Sequence, residues 1–367
     1  MKLDLAQVVE MVAASEPEIV IFETSEQTEH SDPVILEQIS SIAPVLLIGP
    51  NVQKDRLDLL NWPGVKAAVP GEYLISVADY LANPGVGMAS QREVLGVEQM
   101  DALPFAYRDP DLFERYSARF KTTPEGPQGQ FVSMWGCQYR CKFCIWIHAY
   151  WPKSSQIQKL FSLDRLEREV QGLVEAFPGV TSLYDDADNH FYRQRDDAIA
   201  YGDIMGRTGL PWAVLTRSDS YMLDGSVDRD LWRHWAENGC YAVKIGVEGG
   251  QRVADATNKR LDIENVREFV RTVQDLGIQV FASFMVNVPG MDKQSEQETL
   301  DLIQELNSYN PDLFEYFISS CDVTEVSPFR KDVETSNHDG QAQIERVIDD
   351  GKLDIMSLSQ QPNNIEG

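Results

Sequence analysis

The sequence predicts an α/β protein, a small doubly wound N-terminal domain followed by a partial (βα)6 barrel. Two observations predict it. Short apolar runs of strand length alternate with stretches of helical period along most of the chain. Strands separated by helices form parallel sheets with right-handed crossovers. A third observation divides the chain: the alternation is interrupted by Gly- and Pro-rich breakers such as "NPGVGM" and "TTPEGPQGQ".

Residues 1–82 are read as the first domain. "EIVIF" (Glu18–Phe22) and "VLLIG" (Val45–Gly49) are strands, and "KAAVP" (Lys66–Pro70) is a weaker third. "LDLAQVVEMVAA", "PVILEQISSIA" and "EYLISVADYL" show helical spacing. Residues 83–130 form a connector with one short helix in "DPDLFERYSARF". Residues 131–330 carry the barrel. Its strands are "FVSMW", "VTSLYD" (Val180–Asp185), "WAVLT" (Trp212–Thr216), "YAVKIG" (Tyr241–Gly246), "QVFASFMV" (Gln279–Val286) and "LFEYFIS" (Leu313–Ser319). Between them Leu163, Leu166, Val170, Leu173, Val174 and Phe177 share one helix face, with Ser162 as N-cap. "DRDLWRHWAEN", "IENVREFVRTVQDLG" and "SEQETLDLIQELNSY" are further helices. A full eightfold barrel takes about 250 residues, so six units fit the length available. Residues 331–367 are expected to be a short helix and a tail.

Composition limits the function. The 367 residues are 43% hydrophobic, enough for a sizeable core, and carry a formal net charge of −26. That balance argues against a broad basic surface for nucleic acid. The N-terminus shows no secretion signal and no run long enough to span a membrane, so a cytoplasmic protein with reduced thiols is expected. The cysteine count of five also disfavours a disulfide framework.

Three of the five cysteines, Cys137, Cys141 and Cys144, fall in "SMWGCQYRCKFCIWIHAYW", directly after the first barrel strand. In parallel βα barrels the chemistry sits on the loops after the strands. Closely spaced thiols in a reducing compartment point to metal. A structural zinc site needs four ligands, and His148 makes a Cys₃His set formally available. An iron–sulfur cluster with three thiolates leaves one iron open to a small molecule.

The spacing Cys-x₃-Cys-x₂-Cys after the strand that opens a βα barrel resembles the radical S-adenosylmethionine (SAM) superfamily, over roughly residues 131–330. The resemblance implies a 4Fe–4S cluster on Cys137, Cys141 and Cys144, whose open iron chelates SAM. Reductive cleavage then yields methionine and a 5′-deoxyadenosyl radical. An electron donor such as flavodoxin or ferredoxin is implied too. Further motifs resemble the family at successive strand ends. Phe143 in "CKFC" would pack near adenine, and Asp185 and Asp186 in "SLYDDADNHF" would lie near the SAM ammonium. Arg217 in "LTRSD" would pair with the SAM carboxylate. Glu248 in "KIGVEGGQ" is a further SAM contact, and Pro289 and Gly290 in "VNVPGMDK" would shape the adenine site. Each has a plainer alternative: helix capping for the two aspartates, an ion pair for Arg217, and tight turns for Glu248 and for Pro289–Gly290. Cys240 reads as core. Cys321, at the active face, would border the substrate pocket or act as a thiol donor.

"EIVIFETSEQT", "VLLIGPNV" and "GEYL" resemble part of the cobalamin-binding domain that precedes the barrel in one radical SAM subgroup. On that resemblance Ser25, Thr28 and Gly49 are the cobalamin contacts. The domain is truncated, lacking its first βα unit, and Pro50 replaces a second glycine. The leading expectation is a radical SAM enzyme acting on a small-molecule or peptide substrate. The alternatives are a cobalamin-dependent radical SAM methyltransferase and a zinc-stabilised, non-catalytic binding protein.

Overall fold

The computed structural model describes residues 4–90, 96–113, 124–151 and 158–330. The expected C-terminal helix and tail at 331–367 lie outside these residues. Contacts divide the chain into two units. One comprises Met1–Met100, Cys144–Lys159 and Thr324–Ser327. The other comprises Asp101–Phe143, Leu160–Val323 and Pro328–Gly367.

The first unit runs α1 (Leu5–Ala14), β1 (Val20–Glu23), α2 (Asp32–Ile39), β2 (Val45–Ile48), β3 (Val65–Ala68), α3 (Leu74–Ala82) and β4 (Gly87–Met88). The four strands form one sheet in the order β1-β2-β3-β4, with every pairing parallel. Apolar residues cover both faces, which is why β2 is the unbroken apolar run "VLLI". Val45 and Leu47 pack with Leu36 and Ile39 of α2 and with Val9 and Val12 of α1. Leu46 and Ile48 pack on the other face with Val77 and Tyr80 of α3. The fourth strand lies inside the segment expected to be connector. It pairs Ala67 with Gly87 and Ala68 with Met88. Backbone pairing at a two-residue edge leaves no side-chain alternation to read. The same unit takes in α4 (Ile145–Tyr150), the helix that follows Cys144. Trp151 at its end is fully buried, and its indole N–H donates to Glu72 Oε2 at 2.9 Å.

The second unit contains β5 (Gln128–Phe131), α5 (Leu163–Ala176), β6 (Ser182–Asp185), α6 (Arg195–Arg207), β7 (Trp212–Thr216), α7 (Arg229–Glu237), β8 (Cys240–Glu248), α8 (Ile263–Asp275), β9 (Gln279–Val286), α9 (Lys293–Tyr309) and β10 (Phe314–Ser320). Its six main strands form one sheet in strict chain order, each pair parallel. This is the partial barrel. Helix starts follow their sequence signals: Ser162, Asp228, Asp262 and Asp292 each accept a backbone N–H of the first turn. The core between sheet and helices is aromatic, with Trp212, Trp232, Trp235, Tyr201 and Phe269 almost wholly buried.

The first barrel strand corrects the expected boundary. It is Gln128–Phe131, inside the segment read as connector, and Met134–Trp135 stands outside the six-stranded sheet. "QGQF" lacks a strand's apolar signature because Gly129 sits under a helix: a Cβ there would overlap Leu173 of α5.

Gly49, at the end of β2, has φ +110°, and a Cβ there would collide with the Thr24 carbonyl. Gly49→Ala is expected to cost about 2 kcal/mol or more of stability. Chemical denaturation followed by the tryptophans would measure it, and an unchanged midpoint would contradict this account of the turn.

Candidate functional site at the strand ends

The cysteine loop begins after Trp135 and is hung by its backbone from neighbouring strand ends. Gly136, at φ +81°, donates its N–H to Asp188 Oδ2 at 2.7 Å, just past β6. Lys142 N–H donates to Thr257 O at 2.8 Å, and Asn258 Nδ2 donates to Arg140 O at 3.0 Å, both from the loop after β8. Just before the loop, Ser133 N–H donates to Asp185 Oδ1 at 3.0 Å. Among the described residues Cys137, Cys141 and Cys144 form no disulfide. Burial raises the Cys137 thiol to about 11. Burial also raises Cys141, opposed by the positive charges of Lys259 and Arg217.

Asp185 and Asp186 part company. Asp185 is wholly buried on the helix side, accepting from Ser133 and from Tyr201 OH at 3.0 Å. Burial pushes its carboxyl up to about 6 against those hydrogen bonds. Beside it lies His190, also wholly buried, whose Nδ1 is 2.9 Å from Tyr221 OH. Burial takes His190 down to about 3, so the ring is neutral at pH 7. Asp186 is exposed at the strand end, with its N–H donating to Phe131 O at 2.9 Å.

Arg217 is 5% exposed, and its guanidinium carbon lies 3.6 Å from the centre of the Tyr139 ring in the cysteine loop. Its fork is held bidentately by Asp219, with both bonds at 2.8 Å, and it also donates to Lys259 O at 3.0 Å. Glu248, at φ +69°, accepts from Lys259 Nζ at 2.6 Å with both side chains buried. Lys259 Nζ lies 5.6 Å from the Phe143 ring centre. Phe143 packs against an apolar group formed by Val253, Met285, Val288, Cys321 and Phe329. Burial pushes the Cys321 thiol up to about 12, so it is a neutral part of that wall. Gly290 has φ +83° in the turn that follows Val288 and Pro289.

Sequence reading missed Tyr139, Asp188, Asp219 and Lys259. The available signal was local: "TNKR" and "DADN" are polar segments at strand ends, but nothing in them marks which side chain turns inward. The backbone does mark the place. Glu248, Asn258, Arg260 and Asn287 are non-glycine residues in left-handed conformation, all at or near ends of β8 and β9. Such strain concentrates where surrounding structure holds a site in shape.

The donor set fits an iron–sulfur cluster in chemistry and number: three thiols on one anchored loop and two buried cations near Cys141. Among the described residues no three His, Cys, Asp or Glu side chains converge on one ion-sized position.

The residues read as cobalamin contacts lie in the first unit and are engaged with one another. Thr28 Oγ1 donates to Asp32 Oδ2 at 2.9 Å, and Ser25 Oγ lies 3.1 Å from Thr28 Oγ1. Asn51 Nδ2 donates to Glu29 Oε2 at 3.2 Å, and Arg56 closes the ring of bonds at Glu29 and Asn51. Gly49 backs onto the Thr24 carbonyl.

Comparison with known proteins bears on the whole arrangement. No curated protein matches the sequence. The fold resembles the cobalamin-dependent SAM radical enzyme OxsB, solved with aqua-cobalamin and SAM bound: TM-score 0.65, 14% identity, 96% of this chain and 56% of that one. It also resembles the radical SAM methyltransferase TsrM from Kitasatospora setae, solved with cobalamin and a 4Fe–4S cluster: TM-score 0.59, 15% identity, 88% of this chain and 65% of that one. The chain thus spans under two thirds of the length of either. Among the described residues no helix is long and apolar enough to cross a membrane. Residues 132–303, just under half of the chain, match the family described as the Radical SAM superfamily.

Proposed function

We propose that this chain holds a 4Fe–4S cluster on Cys137, Cys141 and Cys144 and cleaves SAM reductively, directing the product radical at a substrate on the inner face of the barrel. The observation that carries this reading is the anchored loop, with its three thiols and with the buried cations Arg217 and Lys259 near Cys141. Held by these three cysteines, such a cluster would supply the electron for reductive cleavage of SAM to methionine and a 5′-deoxyadenosyl radical. The chain's own residues bind and orient. Phe143, Pro289 and Gly290 offer an apolar edge and a turn for adenine. Asp186, exposed at its strand end, suits an ammonium. Lys259 and Arg217 bring positive charge to a carboxylate, each steered by an acidic partner, Glu248 and Asp219. Asp185 acts at one remove, holding Ser133 at the root of the cysteine loop. The one-electron donor would be a flavodoxin or ferredoxin.

A second reading, cobalamin-dependent methyl transfer, is favoured by one observation: the likeness to OxsB extends over 96% of this chain, the N-terminal unit included. The hydrogen bonds that occupy Ser25, Thr28 and Asn51 weigh against it. A large planar cofactor needs walls on several sides and free polar groups to meet it.

Three outcomes are expected. Changing any one of Cys137, Cys141 or Cys144 to Ala removes the visible absorbance and stoichiometric iron of the anaerobically reconstituted protein, together with 5′-deoxyadenosine formation. Zinc without acid-labile sulfide in the parent protein would overturn the assignment. Lys259→Met, Glu248→Gln and Asp186→Ala each weaken SAM binding by about tenfold, the effect of ~1.4 kcal/mol, with the cluster's electron paramagnetic resonance signal retained. Unchanged affinity in all three would remove these residues from the SAM site. In equilibrium dialysis hydroxocobalamin is retained weakly or not at all, and tight one-to-one retention would place methyl transfer first.

A further inference from the structure

The face of the barrel sheet turned away from the helices carries a cation that the SAM reading does not use. Val243, Ile245 and Val247 of β8 belong to the buried core beneath the helices. Side chains alternate along a strand, so Ala242, Lys244 and Gly246 lie on the opposite, inner face. Ala242 there packs with Tyr184, Ala213 and Leu215. Register sets Lys244 beside Leu215 of β7 on one side and Phe281 of β9 on the other. The Lys244 ammonium lies 5.8 Å from the centre of the Phe281 ring and is only half-buried. Among the described residues it has no ion pair and no hydrogen bond. That separates it from Arg217 and Lys259, each bound to a carboxylate. In a chain of net charge −26, an inward ammonium without an ion-pair partner calls for a partner from outside.

We propose that Lys244 anchors a carboxylate of the substrate, and that the substrate is an organic acid with an apolar body lying against Phe281 and Phe317. This rests on the reading that SAM occupies the strand ends. Three observations set the class. Phe317, paired in register with Ser283, is 41% exposed on this same face, so apolar surface is available beside the charge. Glu315, paired with Phe281, and Asp186, alternate to the helix-facing Asp185, bring negative side chains to the face. A dianionic phosphate would meet both with a single cation to offset it, whereas one carboxylate matches one ammonium. Finally, Gly246 is the next inner-face residue toward the strand end, about 7 Å on. A Cβ there would run into Glu248 and Lys259, so the anchor stands directly below the ion pair assigned to SAM.

The test uses the full chain, anaerobically reconstituted, with para-trifluoromethylphenylacetate and its primary amide as probes, followed by fluorine NMR. The acid is expected to bind about tenfold more tightly than the amide. Lys244→Met should abolish that preference, while Lys244→Arg keeps most of it. SAM, titrated into the same samples, should bind both variants within about twofold of the parent. Equal affinity of acid and amide in the parent overturns the proposal. So does persistence of the preference in Lys244→Met, or failure of the acid to bind at millimolar concentration. Failure of SAM to bind the parent would overturn the proposed function instead, and leaves the comparison of acid with amide readable.

Discussion

The cysteine loop depends on backbone hydrogen bonds drawn from the strands beside it. Gly136 is tied to Asp188 and Lys142 to Thr257, so the loop hangs between the ends of β6 and β8. A buried backbone N–H left unpaired would cost about 1–3 kcal/mol. The acidic residues after β6 therefore act on the architecture first. Asp185 and Asp188 each accept a backbone N–H from the segment leading into the cysteines, and burial of Asp185 makes that acceptance strict.

The same logic extends downward into the helix-side core. Asp185 is shared with Tyr201, and His190 is held by Tyr221, within a group of aromatic rings that includes Trp235. The Trp235 indole N–H donates to Ala198 O of α6, joining α7 to α6 behind β6. Asp185 is tolerated in this core because Ser133 and Tyr201 donate to it, and a neutral His190 is what its burial requires. The strand-end carboxylate is thereby connected to the packing of the barrel's helices.

Charge is distributed with equal economy. The surface is strongly acidic, yet cations gather where the strands end. Arg217 and Lys259 are kept in place by Asp219 and Glu248, and Arg217 stacks on Tyr139 of the cysteine loop. Charge pairs buried in this way stabilise little by themselves, since desolvation offsets most of the attraction. Their value lies in orientation: a fork fixed on one side by a carboxylate presents its remaining edge in a single direction.

The sequence by itself determined the architecture and singled out the cysteine stretch. Strand length, helical period and a cap such as Ser162 are local properties, and the spacing of Cys137, Cys141 and Cys144 is a property of consecutive residues. The edges of that reading failed where local pattern is absent: β4 is two residues of backbone pairing, and β5 begins in "QGQ" because Gly129 must pass under Leu173. The partners of the site were decided by the tertiary structure. Lys259 meets Glu248 across eleven positions, and Asn258 reaches Arg140 across 118. Asp185 and Asp186 are neighbours in sequence, yet one turns into the core and the other out to the strand end. Lys244 is ordinary in "YAVKIG" until the sheet gives it an inner face. Whether a polar side chain is paired, buried or left without an ion pair depends on residues far away in the chain, and only the folded sheet brings those residues within reach.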